Sequence, residues 1–95
     1  MKVVYWGKVF KGDKLFSLHF QDFLECRAAY PHQMTLRECS AHVLQSWIND
    51  MVGHRITIPE PTGILLPLGE SQYFLGFLPV VVDVPEAFVK EWRRE

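Results

Sequence analysis

Ninety-five residues make one domain, large enough to bury roughly two-thirds of its unfolded surface and so to hold a small core without staples. Ten basic against eleven acidic residues supply no surplus positive field for gripping a phosphate backbone, which argues against nucleic acid as a direct ligand, and the 48% apolar content excludes a disordered chain. No apolar run approaches the roughly eighteen residues a bilayer demands, the start lacks a signal-like segment, and two cysteines form no disulfide framework, so the chain reads as cytoplasmic with free thiols.

Lys2 to Phe10 is rich in Val, Tyr, Trp and Phe and runs into the turn-forming Lys11-Gly12-Asp13-Lys14, which predicts a hairpin. Leu15 to Phe20 is the return strand, with Phe16, Leu18 and Phe20 on one face and Ser17 and His19 on the other. After the loop Gln21 to Glu25, Cys26 to Tyr30 is a short third strand. The next segment carries Leu36, Ser40, Val43, Leu44, Trp47, Ile48 and Met51 at helical spacing, opposite a wet face of Arg37, Glu38, Ala41, Gln45 and Asn49. Its start has two readings: a capping box from Thr35 to Glu38, or an earlier beginning near His32 after Pro31. Gly53 is the expected left-handed stop, and Pro59 and Pro61 forbid continuation.

Thr62 to Ser71 reads as a connector. The apolar run from Tyr73 to Val84 is broken at Pro79, which places a fourth strand at Val80 to Val84. Pro85 and Glu86 open a final short helix within residues 85–95, whose Phe88, Val89 and Trp92 pack back while Lys90, Arg93 and Arg94 suit its negative end. The expectation is a single α+β domain, β-β-β-α-β, with a meander sheet covered by one main helix and a short C-terminal helix. Leu36, Val43, Leu44 and Trp47 are its predicted core.

Candidate chemistry is sparse. Cys26, His32, Cys39 and His42 are the residue types of a zinc set, yet no Cys-x-x-Cys knuckle is present and the spacing matches no metal pattern. The packed-thiol reading of the cysteines is preferred. A meander followed by a helix resembles the ribonuclease H fold, whose two-metal chemistry needs acids clustered on strands, but Lys2 to Phe10 contains no Asp or Glu. No glycine loop for phosphate is present either, so neither enzyme activity nor a cofactor is expected.

One resemblance spans Phe20 to Thr62 without a gap. Phe20-Gln21-Asp22-Phe23-Leu24-Glu25-Cys26 is similar to the Phe-Pro-Asp-Leu-Pro-Gly-Cys-like loop of HicB-family antitoxins. The helix from Leu36 to Ile48 places its Trp47 on that family's Trp-Leu ending, and Ile58-Pro59-Glu60-Pro61-Thr62 matches the family's Ile-Pro-Glu-Pro-Ser. The chain departs from the pattern at Glu25, Tyr30 and His32. Many relatives also carry a DNA-binding domain, so operator binding by this chain alone is not expected.

The resemblance implies a degenerate ribonuclease H-like domain that neutralises a small basic HicA-like ribonuclease toxin by steric cover, working as a homodimer or higher oligomer. An inhibitor of a basic partner needs negative charge. Asp22 and Glu25 are the candidates for that charge, His19 for an outward face and Trp6 for an interface anchor. The alternative is a stand-alone oligomeric adaptor using its aromatic strands; a Cys/His metal protein is the weaker rival.

Overall fold

A computed structural model of the chain describes residues 1–63 and 73–93. Most of the predicted connector, residues 64–71, lies outside the described residues, as does Arg94. The elements are β1 (Lys2–Lys11), β2 (Phe16–Phe20), β3 (Arg27–Tyr30), α1 (Gln33–Gly53), β4 (Phe74–Asp83) and α2 (Glu86–Val89), followed by a 3₁₀ turn over Lys90–Arg93. The expected α+β order is therefore present: a four-stranded antiparallel sheet in the order β3-β2-β1-β4, with α1 and the short α2.

Alternation along the strands decides which face is buried. Val3, Tyr5, Val9, Leu18, Phe20, Ala28, Leu78, Val80 and Val82 point to the helix side and form the core with Leu36, Leu44 and Ile48 of α1. Ser40 completes the helix stripe, its hydroxyl donating to the carbonyl of Arg37. Val43 and Trp47, both expected in the core, are half-buried and pack against it from its margin. Gly7 leaves space for a neighbouring strand's side chain: a Cβ there would lie 2.5 Å from Cδ1 of the fully buried Leu18, which would have to shift.

Three local expectations are corrected. The helix begins at Gln33 with His32 as N-cap and no side-chain capping bond, so of its two expected starts the one near His32 holds and the capping-box reading fails. Gly53 lies inside the last turn; the left-handed residue is Arg55, with φ 55°. Arg55 N–H donates to Val52 and Ile56 N–H to Met51, the paired closure that a residue in this conformation makes possible.

The third correction concerns β4, which starts at Phe74 and runs through Pro79. The Met1–Val84 pair exchanges hydrogen bonds, so by alternation Pro79, opposite Trp6, occupies a position whose N–H would point away from β1. β4 is an edge strand, and proline loses nothing there. Further along that edge the Gln45 side-chain amide donates to the carbonyl of Asp83 and accepts from its N–H. Gln45, expected on the wet face, instead ties α1 to the outer edge of the sheet. Gly76, with φ 148°, sits beside the irregularity where the β1 register shifts between Val9 and Phe10.

Candidate partner-binding surfaces

The loop between β2 and β3 is shaped by which residues it buries. Phe23 turns into the core and meets Tyr5 edge-on, with ring centroids 4.8 Å apart, which forces the next side chain outward. Leu24 is consequently 78% exposed, the most exposed large apolar side chain among the described residues, and Glu25 beside it is also exposed.

What holds this loop is the Ile58–Thr62 segment, which docks back across the sheet. Ile58 is buried, and its carbonyl accepts from Trp92 Nε1 at 2.7 Å. The Pro59 carbonyl accepts from the Tyr5 hydroxyl at 2.6 Å. Asp22 accepts from the Thr62 hydroxyl at 2.9 Å and from its N–H at 3.2 Å, while Gln21 Nε2 donates to the Thr62 hydroxyl and the Gly63 carbonyl. The segment is a strap tied to β1, to the loop and to the C-terminal turn. Burial, and then the nearby Asp22 carboxylate, push the Tyr5 hydroxyl well above its ordinary pKa, so it stays a donor.

Asp22 therefore spends its charge on an internal clamp, and Glu25 is the loop carboxylate left facing outward. Asp22, Phe23, Leu24 and Glu25 line a shallow depression with Trp47, Met51 and Pro59. Leu24, the half-buried Trp47 and Met51, and the outward-facing Glu25 combine an apolar anchor with negative charge. That arrangement suits a basic, partly apolar protein surface.

The other two predicted site residues lie elsewhere. Trp6 and His19 belong to the face of the sheet opposite α1, with Val4, Lys8, Phe10, Phe74, Phe77 and Arg27, as the alternation and the pairings Lys8↔His19, Lys8↔Phe77 and His19↔Arg27 require. Trp6 is half-buried on this face and takes no part in the helix-covered core. Burial, and secondarily the Arg27 guanidinium, hold the His19 pKa below its usual value. The four predicted interface residues thus divide between two surfaces.

Cys26, His32, Cys39 and His42 do not converge. Cys26 is in the core, its thiol pushed up by burial and so kept unreactive, whereas His32 and His42 are exposed. Among the described residues no three His, Cys, Asp or Glu side chains stand close enough to share a metal ion. Within the same residues no helix is long and apolar enough to cross a membrane. Sequence reasoning missed Gln45 and Thr62 as positioning residues; the Asp22-to-Thr62 bond joins two motifs of the resemblance that are distant in the chain. Comparison with protein-family models, with curated proteins and with solved structures gives no match for this chain.

Proposed function

We propose that this chain is the antitoxin of a toxin–antitoxin pair, a cytoplasmic HicB-like protein that covers a small basic HicA-like ribonuclease toxin and carries out no reaction of its own. The observation that supports this reading best is the strapped loop: an exposed leucine and a free-facing glutamate, held rigidly beside a half-buried tryptophan. Both sequence motifs of the resemblance serve that one construction, since the Phe20–Cys26 loop presents the surface and the Ile58–Thr62 strap fixes it. A rigid loop loses little freedom on binding, which favours a tight inhibitor. We further infer a degenerate ribonuclease H-like relationship for the β-β-β-α-β order and a two-fold oligomer as the working form.

The test is co-expression with the short basic protein encoded beside it, followed by affinity capture and a ribonuclease assay. Wild type is expected to co-purify with the toxin and suppress cleavage. Leu24→Asp and Glu25→Lys should each weaken capture about tenfold or more while leaving the far-ultraviolet circular dichroism unchanged. Absence of a basic neighbour that it captures, or full inhibition by both variants, would overturn the proposal.

A further inference from the structure

The sheet face opposite α1 carries a block whose two columns match each other. By the β1–β4 register Lys2 lies across from Asp83, Val4 from Val81 and Trp6 from Pro79, and the alternation that sends Val3, Tyr5, Val80 and Val82 into the core turns all six outward. Val4 is 39% exposed and Val81 49%, Pro79 is exposed and Trp6 is half-buried. Two β-branched side chains, a proline ring and an indole therefore form an apolar strip along the β4 side of the sheet, with one ion pair at its end. That pair is loose. Lys2 Nζ and Asp83 Oδ1 are 4.0 Å apart and both side chains are mostly exposed, so each keeps room for a second partner.

A second copy fits this block because the block is complementary to itself. A two-fold axis parallel to the strands, midway between β1 and β4 and lying between two stacked sheets, keeps every row at its own level and exchanges the columns. Lys2 of each copy then meets Asp83 of the other, Val4 meets Val81 and Trp6 meets Pro79, which is the reciprocal relation an isologous contact demands. Apolar lies on apolar in two rows and cation on anion in the third. Stacked sheets cross at about 30°, so with Val4 at the centre the rows about 7 Å to either side drift sideways by about 4 Å, less than one strand spacing of about 4.8 Å, and the matches survive the twist. The strip holds one charge of each sign and gives a basic partner no field to follow; that role stays with Leu24 and Glu25.

We propose that the strip of Val4, Trp6, Pro79 and Val81 is the interface of a homodimer, two sheets stacked face to face about that axis. This deepens the two-fold assembly inferred above and rests on that part of the reading. Because β4 is the edge strand, β2 and β3 of each copy overhang the contact, and the loop after β2 stays outside it. The dimer thus presents two toxin-covering surfaces. A strip two strands wide stands at the small end of specific interfaces, which sets a micromolar association with the Trp6 indole as its anchor.

The experiment is sedimentation equilibrium on the full chain, from about 1 to 300 µM at about 50 mM salt. Wild type is expected to dimerise reversibly with a dissociation constant of about 1–50 µM. Val81→Glu, which sets a carboxylate against Val4 of the other copy, should raise that constant about tenfold or more. Lys2→Glu and Asp83→Lys alter only exposed side chains and place like charges together twice in the dimer, so each should weaken association about threefold; combined, they restore opposite charges and should return it to about the wild-type value. Glu38→Lys, on the exposed side of α1, should change nothing. A chain still monomeric at about 300 µM, a dimer unmoved by Val81→Glu, or a double swap no better than the single ones would each overturn the proposal. So would a Val81→Glu chain that dimerises normally but loses toxin capture, which gives the strip to the toxin. A wild type that dimerises as described but captures no toxin would sink the antitoxin reading and support this interface alone.

Discussion

Arg55 holds a left-handed backbone conformation that carries a cost for any residue with a Cβ, yet the two closing bonds of α1 depend on it. Its side chain is exposed, so replacement disturbs little packing. Arg55→Gly is expected to raise unfolding free energy by about 0.5–1 kcal/mol, the strain relieved less the added freedom of the unfolded chain, as measured by urea titration. Tyr5 makes a second residue-scale prediction. Its folded pKa is raised, so its contribution is complete below the unfolded value of about 10 and declines as pH rises beyond that, because only the unfolded chain then ionises it readily. Wild type should therefore lose unfolding free energy above pH about 10 more steeply than Tyr5→Phe. At neutral pH the variant should be about 1 kcal/mol less stable through the unpaired Pro59 carbonyl.

The elements themselves were readable where one period dominates. Phe16, Leu18 and Phe20 alternate cleanly, and Leu36, Ser40, Leu44 and Ile48 recur every fourth residue, so β2 and α1 follow from pattern alone. The strand containing Pro79 is longer than the sequence suggests, because proline rules out a central position and sequence does not announce which strand is the edge; only the β3-β2-β1-β4 order reveals that the missing N–H faces outward. The left-handed stop falls two residues beyond the expected Gly53 for a related reason, since glycine marks where such a turn is cheap and Arg55 marks where the helix closure uses one. The strap was invisible to periodicity, being a set of bonds from Tyr5, Asp22 and Trp92 to a segment without repeat. Pro79 also keeps the β4 edge from pairing with another chain, together with Gln45 at Asp83. Pro79→Val is expected to increase self-association, read as a concentration-dependent rise in sedimentation coefficient.

At the scale of the molecule, the candidate residues were legible by type but not by grouping. Asp22, Glu25, Trp6 and His19 were all singled out, yet the pleat sends Trp6 and His19 to one side while the strap holds Asp22 and Glu25 on another. The C-terminal helix and turn close the core: Val89 is buried, Phe88 is half-buried, and Trp92 ties the turn to Ile58. A chain lacking residues 86–95 should lose about 2–4 kcal/mol and melt about 10 °C or more lower, by differential scanning calorimetry.

Of the two inner strands of the sheet, β1 is synthesised long before the strand that covers its outer side. β1 ends at Lys11, and its second neighbour, β4, is complete only at Asp83. A ribosome adding roughly 5–20 residues per second needs about 4–15 s to cover that interval. Throughout it, β1 can satisfy one side through β2 while its other side offers unpaired amides flanked by Val4, Tyr5 and Trp6 to any extended peptide nearby. Nascent chains are thus obliged to wait, sticky along one flank, until β4 has been made, and cellular yield should respond to chaperone supply more strongly than the folded domain's own stability would suggest.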